Sequence, residues 1–137
     1  MSRLLIDTNI VIDLLSKRDK FYDEAADLFS RADKKELELT ISSLTFANTN
    51  YIISKLKSAK VAREILRKFK VLVELLSLDD KITELALSDD NFPDLEDGLQ
   101  YYSAMENQID VIITRNKKDF KNSKIPVLTA KEFLARK

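Results

Sequence analysis

The 137-residue sequence predicts an α/β protein, a three-layer α/β/α sandwich with a central parallel sheet of four to five strands. Three observations carry this. Short apolar or β-branched runs alternate along the chain with longer segments of helical periodicity. The short runs are apolar on both faces, as strands must be when helices cover both sides of a parallel sheet. The connections are short and no linker composition interrupts them, so residues 1–137 read as a single domain.

The elements follow in order. "RLLI" (3–6) is the first strand, and helical patterns cover about 9–17 and 22–35. The strand "LELTIS" (37–42) precedes helices over 44–57 and 59–69. "VLVELLSL" (71–78) reads as a strand, although its periodicity also fits a helix. Helices are expected over 79–89 and 94–107, strands at "VIIT" (111–114) and "IPVLT" (125–129), and a last helix over 130–136. On the helix after Pro93, Leu95, Leu99, Tyr102 and Met105 form the expected apolar stripe. Asp94, Asp97 and Tyr101 share another side, and Glu96 points away as a solvated first-turn acid.

Composition removes whole classes of chemistry. With no Cys there is no disulfide framework, thiolate zinc site or cysteine nucleophile, which suits a reducing cytoplasm. With no His there is no Ser-His-Asp triad, His-ligated zinc or imidazole acid–base catalysis. The single glycine, Gly98, excludes a P-loop and a dinucleotide fingerprint. Hydrolysis by such a chain falls to carboxylates acting through a hard metal ion. No signal peptide or membrane span is expected, because Asp7 and Asp13 interrupt the N-terminal apolar run. The expected location is cytoplasmic.

"LLIDTNIVIDLL" therefore poses a question: why do a carboxylate, a hydroxyl and an amide stand between two buried segments? Ligands of open α/β sheets bind outside the carboxyl ends of the strands, and Asp7 follows strand 3–6 directly. The alternative is that Asp7, Thr8 or Asn9 caps the next helix. A second acidic group, Asp94 and Asp97, opens the later helix, where the dipole alone also favours acids. Yet this helix runs into "DVIITRN", another buried strand ending in polar groups at Thr114-Arg115-Asn116. Oxygens converging there without His or Cys fit Mg²⁺ or Mn²⁺.

"LLIDTNIVIDLL", "TISSLTFANTNYIISKL", "DLEDGLQYYSAMENQIDVIITRNKKDF" and "IPVLTAKEFL" together resemble a PIN domain, most closely the VapC-type toxin ribonucleases. The resemblance spans nearly the whole chain. It implies metal-dependent endonucleolytic cleavage of RNA, a homodimer and neutralisation by an antitoxin protein, with no membrane. By the same resemblance Asp7 and Asp97 are metal ligands, Asp94 is an additional acid of a subgroup, and Thr114 supports the site. Asn48 and Asn116 stand where the family commonly has Glu and Asp. Both are expected around the metal, Asn116 within the catalytic set and Asn48 in support.

Two amides for two carboxylates lower the charge of the site, so one firmly bound metal is expected. The same loss motivates an alternative, a catalytically weakened PIN domain that binds RNA or protein without cutting. A receiver domain and a haloacid-type phosphatase also place Asp at strand ends. The phosphatase, however, needs a second Asp where Asn9 stands, and no receiver pattern is present. Thr8 and Asn9 are expected to hold the corner in shape, and Asp119 to restore a charge if its loop turns inward. Arg115 and Lys117 are the expected contacts to RNA phosphates. Tyr51 and Tyr101 are candidates for base stacking, although buried helix tyrosines are commoner. "IVIDLLS" and "FYDEAADLF" carry more apolar residues than one core-facing stripe needs, a surplus suited to dimer or antitoxin contact.

Overall fold

The strands form because their side chains are apolar on alternate and opposite faces. In the computed structural model, which describes residues 1–18 and 20–136, β1 (Ser2–Ile6) sends Leu4 and Ile6 to one side and Leu5 to the other. β4 (Val111–Ile113) divides in the same way, with Val111 and Ile113 opposite Ile112. β2 (Leu37–Ser42), β3 (Glu74–Leu76) and β5 (Val127–Leu128) complete a five-stranded parallel sheet of order β3-β2-β1-β4-β5.

Helices cover both faces. α1 (Thr8–Leu15), α2 (Tyr22–Asp33), α4 (Ala59–Phe69) and α7 (Ala130–Ala135) place Ile10, Val11, Leu28, Phe69 and Ala130 in the core on one side. On the other side α6 (Leu95–Glu106) contributes Tyr101 and Ala104, which pack with Phe92, Ile109 and Phe120. α3 (Ser43–Leu56) lies against α1 and α4 through Ile53, which meets Ile12 and Ala62. α5 (Asp80–Leu87) packs on α6, where a Cβ at Gly98 would stand 3.4 Å from those of Ala86 and Phe92. Among the described residues no helix is long and apolar enough to cross a membrane.

Three expectations change. Only Glu74–Leu76 of 71–78 is strand, because β3 is the sheet's edge and pairs with β2 alone; Lys70–Leu72 is a 3₁₀ turn. The expected stripe on α6 is not its buried face. Leu95 and Met105 are 43% and 39% exposed, whereas Gly98, Gln100, Tyr101, Ser103 and Ala104 are buried. Small residues let α6 approach α5 closely, so close packing rather than side-chain hydropathy chose the face. The apolar surplus of the first two helices also goes inward: Ile10, Val11, Ile12, Leu28 and Phe29 all lie in the core.

At the amino edge of the sheet Arg3 ties three strands together. Its guanidinium meets Glu38 of β2 at 3.2 Å and Glu74 of β3 at 2.8 and 2.9 Å, and its Nε donates to the Asn107 carbonyl. The carboxyl edge is left for a different arrangement.

Candidate active site

β1 is flanked by β2 on one side and β4 on the other, so the chain's connections diverge from it in opposite directions. Such a switch point opens a crevice at the carboxyl edge. Here it is a cleft of about 890 Å³. Asp7 stands at its base, immediately beyond β1, with its backbone N–H on the Ile113 carbonyl at 3.0 Å.

Three donors orient the Asp7 carboxylate. The Thr8 N–H reaches Oδ1 at 2.8 Å, while the Thr114 hydroxyl at 2.8 Å and the Asn9 amide at 3.2 Å reach Oδ2. Asn9 Oδ1 accepts the Arg115 N–H, and the Asn116 N–H binds the Thr114 hydroxyl, so the ends of β1 and β4 form one hydrogen-bonded corner. The Thr8 and Thr45 hydroxyls are 3.3 Å apart, which extends the corner to α3. Burial raises the Asp7 pKa above the usual carboxylate range against the pull of these three donors, and the charge of Asp119 adds to the rise.

Asp97 faces the same cleft from the first turn of α6. Burial and the charges of Asp119, Asp94, Asp7 and Glu96 raise its pKa to about 7. Among the described residues its carboxylate oxygens are engaged by no hydrogen bond. Asp94 also lines the cleft, but it is exposed, and its Oδ1 accepts the Glu96 N–H at 2.9 Å as the cap of α6. Asn48, Asn116 and Asp119 line the cleft as well. The Asn48 amide is spent on Glu96 at 3.1 Å.

Several assignments move. Arg115 grips Asp13, which is 1% exposed, through Nε at 2.8 Å and Nη2 at 3.1 Å. Its guanidinium lies 4.0 Å from the centre of the Phe21 ring. A fully buried carboxylate claims it, so it does not line the cleft. Lys117 pairs with Glu132 at 3.0 Å and also lies outside the lining. The cations that do line it are Arg18, Lys118 and Lys121. Tyr101 is buried and stacked on Phe92 at 4.6 Å, which leaves no face for a base. Tyr51 is 61% exposed at the rim.

Several lining residues escaped sequence reasoning, Arg18, Lys118 and Lys121 among them. Glu96, read as solvated, turns to Asn48. Gln100 sits one turn beyond Asp97, and its position at i+3 was the available signal.

The donor set consists of oxygens with a negative field and suits a hard divalent cation. Among the described residues no three carboxylates are grouped tightly enough to hold an ion by themselves. A cation here would rest on carboxylates supplemented by neutral oxygens and water.

Without a cation, Asp97 and Asp7 bind protons more tightly folded than unfolded, so stability falls as pH rises. For Asp97 the window runs from its unfolded value near 4 up to about 7. The carboxylates shifted the other way, Glu74, Asp89 and Glu132, have ordinary values of 4.5, 3.8 and 4.5 and act at or below the lower end of this range. Metal-free protein is therefore expected to melt at higher temperature at pH 5.5 than at pH 8. The difference should shrink in Asp97→Asn, and a melting temperature that rises toward pH 8 would contradict the crowding.

The fold and site define an α/β domain that gathers carboxylates at the switch point of a parallel sheet. Residues 3–118 match the PIN domain family, and the chain belongs to that family. One relative is Ribonuclease VapC1 of Aquifex aeolicus (strain VF5), 28% identical over 138 residues, covering 98% of this chain and 94% of the relative. A toxin–antitoxin complex from Klebsiella pneumoniae is 26% identical with a TM-score of 0.69, covering 93% of this chain and 97% of that one. DNA-bound VapBC from Salmonella typhimurium shares the fold at 18% identity and a TM-score of 0.74, covering 95% and 99%.

Proposed function

We propose that this PIN domain is a VapC-type endoribonuclease that hydrolyses RNA phosphodiester bonds with Mg²⁺ or Mn²⁺ and is the toxin of a toxin–antitoxin pair. The observation that carries the proposal is the meeting of Asp7 and Asp97 in one cleft with no nitrogen or sulfur ligand nearby. Asp7, Asp97 and Asp94, supplemented by neutral oxygens and water, would hold the metal, which when bound supplies an activated water and stabilises charge on the phosphate. The chain's own part is positioning. Thr114, Asn9 and the Thr8 N–H fix the Asp7 carboxylate, while Arg18, Lys118 and Lys121 offer charge to the RNA backbone. Water adds across a P–O bond, and the leaving oxygen takes the proton. The antitoxin would cover the cleft, and the active form would be a cytoplasmic homodimer.

Purified protein should cleave single-stranded RNA with Mn²⁺ and stop when EDTA is added. Equal cleavage in EDTA would remove the metal from the mechanism. The weakened, binding-only reading is favoured by Asn48 and Asn116. It predicts RNA binding without cleavage and no Mn²⁺ uptake at millimolar concentration.

A further inference from the structure

Gln100 is buried deep in the wall of the cleft, only 4% exposed, and lies on the same side of α6 as Asp97. Its Nε2 donates to the Thr45 hydroxyl at 2.8 Å, and Thr45 in turn neighbours Thr8 at the Asp7 corner. The amide is thus pinned on one side, while Oε1 is buried and, among the described residues, has no hydrogen-bond partner. Leaving a carbonyl stranded in this way costs free energy that native structures usually avoid. Packing does not call for an amide here, since Met has the same reach and strands nothing.

The missing partner must be a donor. With a cation bound, Asp7 and Asp97 are ionised and only accept, so they cannot serve. Among the described residues no side-chain donor of the cleft reaches Oε1. A water carried by a cation between the carboxylates is a donor of the right kind, polarised and fixed in place.

We propose that Gln100 is a positioning residue of the cation site, its carbonyl oxygen accepting a hydrogen bond from a water on the bound ion. The proposal rests on the cation-binding reading above. It gives this chain a neutral oxygen where its carboxylates are few, and it ties the site through Thr45 to α3.

Calorimetric titration of the full chain with Mn²⁺ alone tests it, using wild type, Gln100→Met and Gln100→Glu, with metal-free melting curves alongside. Gln100→Met should bind Mn²⁺ about tenfold more weakly while melting no lower than wild type. Gln100→Glu keeps an acceptor and adds charge, so it should bind at least as tightly as wild type. Wild-type affinity in Gln100→Met, or a Gln100→Glu as weak as Gln100→Met, overturns the role. If Gln100→Met does not fold, Thr45→Val frees the amide and should weaken Mn²⁺ binding several-fold; unchanged affinity there also overturns it. A wild type that takes up no Mn²⁺ removes the cation-binding reading itself, a result distinct from the failure of Gln100 alone.

Discussion

Asp97→Asn is expected to lower RNA cleavage by at least about 100-fold, the scale on which a directly bound catalytic group exceeds its supporting partners. The reason lies in how the three acids are engaged. Asp7 has three donors on its two oxygens, and Asp94 spends one oxygen capping α6. Among the described residues Asp97 has both oxygens free of hydrogen bonds, and burial together with a burden of neighbouring charge raises its pKa to about 7. A cation relieves that burden. Asparagine preserves shape but cannot neutralise the ion, so Mn²⁺ affinity should fall together with cleavage. Relief from repulsion should also make the metal-free variant at least as stable as wild type at pH 8. A variant that cleaves like wild type after removal of contaminating nucleases would show that the site has been misplaced.

Arg115→Ala is expected to destabilise the fold by about 3 kcal/mol, the lower end of the range for stranding a buried charge. Asp13 is 1% exposed and loses its two-pronged partner in this variant. Arg18, 3.7 Å away, is close enough to compensate in part. Replacing both members of the pair, as in Asp13→Leu/Arg115→Leu, should restore much of the loss because the penalty belongs to the unpaired charge. Urea denaturation of wild type and the two variants measures this. If Arg115→Ala were as stable as wild type and instead lost RNA affinity, Arg115 would return to the substrate-binding role that its neighbourhood of lysines suggested.

These two residues show what a linear reading sees. The place of Asp97 in the cleft was legible because a helix start and a polar strand end both fall at the carboxyl edge of a parallel sheet. The sheet itself was legible because Leu4, Leu5 and Ile6, like Val111, Ile112 and Ile113, can be buried on alternate sides only between two layers. The pairing of Arg115 with Asp13 was not legible because the partner lies 102 positions away, and no local pattern says which carboxylate will be sealed from water. The face of α6 was misread because hydropathy rewards Leu95 and Met105, whereas close helix contact rewards Gly98 and Ala104. Gln100 went unnoticed for the same reason: it borrows its burial from small neighbours.

The corner in which Thr114 holds Asp7 spans 107 positions of sequence. That separation sets a clock. The first acid of the site leaves the ribosome long before the strand that must orient it, by roughly 5 to 20 s at ordinary rates of synthesis. Until β4 docks beside β1, Asp7 lacks the hydroxyl donor of Thr114. On the nuclease reading, a chain that stops short of β4 is expected to be inactive, because Asp7 then lacks the hydroxyl that orients it even though Asp94 and Asp97 are already made.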